Sequence, residues 1–282
     1  MNSIAIIPNP QRDENLSETR KLLAFLSGCN KKILMEDKFK SYNFQNVCFS
    51  TTYVLMSKAD IVVVLGGDGT ILDIAPMAAK YNVPVLGINL GHLGFLAQAE
   101  KGNYDIFNSL FAGNYTIQNC IMLDCGIKKN DTVIASFTAF NDVVAFGDGY
   151  SRMVNVSASV NGTNIGTYSA DGLIAATAVG STAYSLSAGG AILHPEMDAI
   201  ILTPICPHTL KARSMVVPGS DKIEITPCPP LRTSVIVMID GKRRHVLEND
   251  EHICITRSKY YTRLININNK NFFDVLREKL SD

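Results

Sequence analysis

No apolar run in the 282-residue sequence approaches the roughly 18 residues of a membrane-crossing helix; the longest lie around Ile61–Leu65 and Leu173–Val179. The opening MNSIAIIPNPQRDEN has no basic segment followed by a long apolar stretch, so no signal peptide is expected. Charge of either sign is scarce. Lys plus Arg number 26 against 26 Asp plus Glu, a formal net charge of zero, and only 18% of residues are charged. A neutral chain without a basic block is a poor general binder of nucleic acid, and so low a charged fraction points to surface buried between subunits. The seven cysteines are odd in number, spread along the chain and never spaced CxxC, which excludes a zinc ribbon and a disulfide scaffold. Reduced, buried thiols in a soluble cytoplasmic protein are expected. Several common active-site signatures are also missing: GxxxxGK[ST], GxGxxG after a strand, GxSxG and HExxH.

A 46% hydrophobic share is enough for a real core. In the first third, Ile4–Ile7 reads as a buried strand ended by Pro8-Asn9-Pro10, and Leu16, Leu22, Leu23 and Leu26 space out an amphipathic helix over about 15–27. Ile61–Leu65 is apolar and β-branched, suiting a parallel strand covered on both faces. A glycine turn, a helix to Tyr81 and a second buried strand, Val83–Ile88, complete a βαβ unit. Further on, Val154, Val156, Ala158 and Val160 alternate with polar residues, and Asn161-Gly162 signals a hairpin. Ile223–Ile225 and Ser234–Ile239 repeat the strand pattern without intervening helices, which points to an antiparallel domain. The fold expected is therefore an α/β N-terminal domain with a parallel sheet, followed by a β-rich, antiparallel, sandwich-like domain. The change is placed near residue 103. Phe272, Phe273, Leu276 and Leu280 return to helical spacing, as core or interface.

Two glycine-rich constellations carry chemistry. Gly66-Gly67-Asp68-Gly69-Thr70 stands at the exit of a buried strand, where glycines admit a ligand close to the backbone and free helix amides favour an anion. An acid held there can accept a proton from a hydroxyl or hold a metal that bridges phosphates; the plainer alternative is a turn in which Asp68 or Thr70 caps the helix. The second runs from Asp171-Gly172 to Gly180-Ser181-Thr182-Ala183-Tyr184-Ser185-Leu186-Ser187-Ala188-Gly189-Gly190. Its hydroxyls can line a polar slot and Tyr184 can stack, but a capped helix start with Tyr184 simply packed reads equally well. His208 reads as a packed or capping residue, and Lys242-Arg243-Arg244-His245 as the solvated tip of a strand connection.

LGGDGTIL and DGLIAATAVGSTAYSLSAGG, with Asn141-Asp142 between them and LTPICPHTL at 202–210, together resemble the NAD kinase family. The resemblance runs from Ile61 to Pro218 and resumes from Tyr260 to Leu280. GGDGT alone is shared with diacylglycerol-type lipid kinases and, more loosely, phosphofructokinases; GSTAYSLSAGG with TPICPH is far more selective. The resemblance implies domains at 1–103 with the tail 268–282, and at 104–267. It implies transfer of a terminal phosphoryl group from ATP or another donor to the 2′-hydroxyl of the adenosine ribose of NAD, a divalent cation such as Mg²⁺, and a homo-oligomer, dimer or tetramer. Asp68 matches the family's proton acceptor, with Gly66, Gly67 and Gly69 around the phosphates and dinucleotide. Asn141 and Asp142 match the pair that contacts the adenylate part. Asp171 and Thr182, Ala183, Tyr184, Ser185, Leu186 and Ser187 match further dinucleotide contacts, as do Arg152, Cys206 and Lys242.

Some positions depart from the family pattern. Thr177-Ala178-Val179-Gly180-Ser181 replaces a common TPTGS, and Gly147-Asp148-Gly149 lacks a basic residue often found there. Arg213-Ser214 stands for an Arg-Pro pair, and Lys242 for a frequent glutamine. Three readings follow: an NAD kinase, a lipid kinase sharing only GGDGT, or a non-enzymatic NAD-binding protein. Asp68 separates the first from the third, because a retired enzyme has no need of its base.

Overall fold

The computed structural model describes the chain except residues 92–93, 98, 150–152, 210, 231–232, 268–270 and 281–282. It divides into two compact units, Met1–Asn119 with Tyr261–Asp282, and Cys120–Tyr260. The division therefore falls after Asn119 rather than near 103. The reason is local: Ile106, Phe107 and Leu110 of the short helix Ile106–Phe111 are buried in the core of the first unit.

The first unit is built on a parallel sheet. Its strands lie in the spatial order Val47–Ser50, Lys32–Glu36, Ser3–Pro8, Ile61–Gly66, Val85–Asn89, each pair parallel. Ile4 and Ile6 pack with Val63, Leu65 and the helix residues Leu22 and Leu26. On alternate positions Ala5, Ile7, Val62 and Val64 are buried too, so both faces are covered, as the continuous apolar runs require. From Ser3–Pro8 the chain winds outward one way, then returns to Ile61–Gly66 and winds the other way. This makes the gap between the carboxyl ends of these two neighbouring strands a topological switch point, where open α/β sheets characteristically bind ligands. Leu16, expected inside the first helix, lies outside it with φ +53°, and the helix runs Ser17–Ser27. Asp13 explains the late start: its buried carboxylate accepts the Glu18 and Thr19 N–H groups at 2.9 Å each, so it serves as the cap. The final helix, Phe272–Leu280, buries none of its residues, and Phe273 is exposed, so the core reading of that stripe does not hold.

The second unit is antiparallel. One sheet has the order Met215–Pro218, Ala199–Ile205, Gly172–Thr177, Asp142–Gly147, Val235–Ile239, Lys242–Leu247. A second layer pairs Thr163–Ala170, Val154–Val160 and Ile223–Pro227, and Ile223–Ile225 pairs on with Ile253–Ile255. Val143, Ala145, Leu173 and Val237 from the first share one core with Val156, Ala158, Ile225 and Ile253 from the second, a sandwich. The expected hairpin is present, with Asn161 and Gly162 at φ +50° and +79°. The other face of the six-stranded sheet, through Ile174, Ala176 and Ile201, is packed with Ala178 and Leu193, which flank the hydroxyl-rich run.

Candidate active site

In the first unit Gly67 precedes the helix Asp68–Lys80, and Asp68 is its first residue. Asp68 caps nothing. Its carboxylate accepts instead from the amides of Phe95, at 2.8 Å, and Leu96, at 3.2 Å. Gly94 permits this, because a Cβ there would lie 2.0 Å from Asp68 Oδ1. Each carboxylate oxygen keeps a lone pair for a substrate. Thr70 does not cap either; its hydroxyl accepts from Asn9 Nδ2 at 2.8 Å. Asn9 N–H donates to Leu65 O at 2.8 Å, so the loop after the first strand is tied to the glycine turn at the switch point. A Cβ on Gly69 would meet nothing within 4 Å, leaving the backbone of that residue open to a ligand.

The second unit gathers Asn141, Asp142, Thr177, Gly180 and Asp240. Asp240, in the Asp-Gly turn, accepts three backbone N–H groups: Phe140 at 2.9 Å, Asn141 at 2.7 Å and Asp142 at 3.0 Å. Thr177 N–H donates to Asn141 O at 2.8 Å, and Thr177 Oγ1 donates to Phe140 O at 2.8 Å. A Cβ on Gly180 would lie 2.1 Å from Asn141 O, so only glycine lets the hydroxyl-rich run pass so close. Held from both sides, Asn141 has a side-chain oxygen that is buried and without a hydrogen-bond partner among the described residues. Such an atom costs about 1–3 kcal/mol, and a donor placed beside it would recover that cost. Burial, and then the charge of Asp240, pushes the Asp142 carboxyl up to about 7. Asp240 is raised by burial and pulled back by its three amides and Lys242.

The other expected contacts differ in kind. Ser185 is fully buried, and its hydroxyl shares a 2.8 Å hydrogen bond with Thr203. That bond ties the hydroxyl into the fold. Ser181 is likewise buried, donating to Ala178 O at 2.6 Å and accepting from Leu193 N–H at 2.9 Å. Tyr184, Ser187, Cys206 and Lys242 are exposed, while Thr182, Ala183, Leu186 and Asp171 are half-buried. Arg152 lies outside the described residues. His208 is exposed rather than packed. The basic run 242–245 is no solvated tip but part of the strand Lys242–Leu247, with Arg243 bound to Asp148 and His245 to the buried Glu251. All seven cysteines are free, but only Cys120 and Cys125 are fully buried; burial pushes both thiols up to about 12, far from thiolate chemistry. Among the described residues no three His, Cys, Asp or Glu side chains converge as metal ligands.

Comparison with known proteins decides the family. Residues 4–115 match the ATP-NAD kinase N-terminal domain and residues 140–267 the ATP-NAD kinase C-terminal domain. The chain belongs to the NAD kinase family. The NAD kinase of Thermoanaerobacter sp. (strain X514) is 38% identical over 283 residues, covering all of both chains. That of Magnetococcus marinus is 42% identical over 224 residues, 78% of this chain and 73% of that one. Among solved structures, yeast NADH kinase complexed with NADH superposes with a TM-score of 0.89 at 26% identity, covering all of this chain and 87% of that one. An NAD kinase from Archaeoglobus fulgidus in complex with ATP gives 0.74 at 25% identity, over 99% and 98% of the two chains. As a family member the protein is a phosphotransferase with the two-domain NAD kinase fold. A lipid kinase sharing only GGDGT does not account for a match that extends through the second domain.

Proposed function

We propose that the protein transfers the terminal phosphoryl group of ATP, or of another phosphorylated donor, to the 2′-hydroxyl of the adenosine ribose of NAD, giving NADP. The observation that carries this reading is Asp68, held by two amides in a glycine turn at the switch point of the parallel sheet. Phosphoryl transfer asks for alignment and charge neutralisation more than covalent chemistry from the protein. Gly66, Gly67 and Gly69 admit phosphates close to the backbone, and Asn141, Asp142 and Tyr184 hold the adenosine. The ribose oxygen forms its bond to the terminal phosphorus as the bond from that phosphorus to the donor's bridging oxygen breaks. The hydroxyl proton passes to Asp68, concurrently with transfer because the hydroxyl is a weak acid. A divalent cation such as Mg²⁺ supplies charge neutralisation on the donor phosphates, and no protein step here depends on its ligands.

The same reading places the enzyme in the cytoplasm, where its substrates are, as a homo-oligomer, a dimer or tetramer that light scattering can count. No helix among the described residues is long and apolar enough to cross a membrane. The direct test is purified protein with Mg²⁺, NAD or NADH, and each of ATP, other triphosphates and polyphosphate. NADP or NADPH from at least one combination is expected. None from any combination overturns the reading.

A further inference from the structure

We propose that Arg12 binds the phosphate chain of the phosphoryl donor above the glycine turn. The proposal rests on the phosphotransferase reading above and adds a residue to it. Arg12 sits in the loop that leaves the first strand, one of the two loops that flank the switch point. A terminal guanidinium nitrogen of Arg12 lies 2.8 Å from where a Cβ of Gly67 would be, and 3.8 Å from that of Gly91. The side chain therefore lies over backbone that is bare of side chains on two separate segments.

The loop is also built to hold it there. Arg12 N–H donates to Asn9 O at 3.0 Å and Asp13 N–H to the same oxygen at 2.9 Å. Asn9 Oδ1 accepts Gln11 N–H at 3.0 Å while its amide nitrogen reaches Thr70. Immediately after Arg12, the buried carboxylate of Asp13 accepts Glu18 N–H, Thr19 N–H and, at 2.6 Å, the Thr19 hydroxyl. Both sides of Arg12 are thus anchored, one to the glycine turn and one to the next helix. Among the described residues its guanidinium makes no hydrogen bond or ion pair, whereas Arg243 and Arg257 are each held by an aspartate. A planar, always charged, five-donor group aimed over a glycine turn and left without a carboxylate suits a polyphosphate anion.

The chemistry is shared by the donor's phosphates and the dinucleotide's pyrophosphate, and the kinetics separate them. In Arg12→Gln the KM for the donor should rise about 10- to 100-fold, the scale of a lost charge-assisted bond, with the KM for NAD within about twofold of wild type. Arg12→Lys, which keeps the charge but not the fork, should fall between. An unchanged donor KM in Arg12→Gln overturns the proposal, as does a rise in the NAD KM alone or in both equally. Arg12 is exposed, so its replacement should leave the melting temperature in place; if Arg12→Gln does not fold, the same comparison on Arg12→Lys decides. Calorimetric titration with inorganic tripolyphosphate needs no turnover, and so tests Arg12 even if the proposed acceptor is wrong. Wild type should bind it at least tenfold more tightly than Arg12→Gln, and equal affinities refute the assignment.

Discussion

Replacing Asp142 by Asn should stabilise the protein at neutral pH, by an amount that depends on pH in a defined way. The carboxyl is buried beside a second buried carboxyl, Asp240, and is raised from 3.8 to about 7. A carboxyl raised on folding takes up a proton as the chain folds, so its favourable contribution is complete below about pH 4 and is lost as the pH rises to about 7. Each pH unit in that window is worth about 1.4 kcal/mol, and the full span about 4 kcal/mol as an order of magnitude. Asparagine has the shape of the neutral acid and never ionises. Urea melts of wild type and Asp142→Asn at pH 4, 5, 6, 7 and 8 should coincide near pH 4, then diverge in favour of the variant and level off above pH 7. Taking the difference removes oppositely shifted groups such as Glu18, Asp60 and Glu224, whose lowered carboxyls titrate alike in both proteins. A difference that is flat with pH, or a variant less stable at pH 8, would refute the placement of two buried carboxyls side by side.

Asp68→Asn should lower kcat by about a hundredfold or more, the usual scale for a lost general base, while calorimetry still detects NAD binding. It should also cost about 1–3 kcal/mol of stability, because an amide N–H₂ must face the Phe95 or Leu96 N–H. Gly180→Ala forces a Cβ to within 2.1 Å of Asn141 O, so a stability loss of about 1–3 kcal/mol and a weaker KM for NAD are expected together. Ser185→Ala should cost about 1 kcal/mol through its bond to Thr203 and leave the KM for NAD unchanged. A large change in that KM would show that Ser185 contacts the ligand.

Much of the fold was legible because its signals are local. The apolar run Ile61–Leu65, the glycines after it and the alternation at 154–160 each declare an element from a few neighbouring residues, and each element formed. Asp68 stands out in the sequence because it carries its chemistry in a compact motif, whereas the groups that hold it do not. Asp240 carries no such signal, since Asp-Gly is ordinary turn chemistry. Its role as a clamp on Phe140, Asn141 and Asp142 comes from partners about a hundred positions away, brought near by pairing of Asp142–Gly147 with Val235–Ile239. Gly94 and the amides of Phe95 and Leu96 were hidden for the same reason, 27 and 28 positions from the acid they hold. Ser185 shows the converse: a hydroxyl in a ligand-like motif has a partner inside the protein, in Thr203. Burial of a polar side chain depends on what lies across the sheet, and periodicity does not report that.

The central claim concerns one oxygen atom, so the most direct measurement removes it. The enzyme should be incubated with its donor, Mg²⁺ and an NAD analogue whose adenosine ribose lacks the 2′-hydroxyl, and the products weighed by mass spectrometry. The account expects an analogue that inhibits NADP formation competitively against NAD and never gains a phosphoryl group. An analogue that is phosphorylated at any position would contradict it.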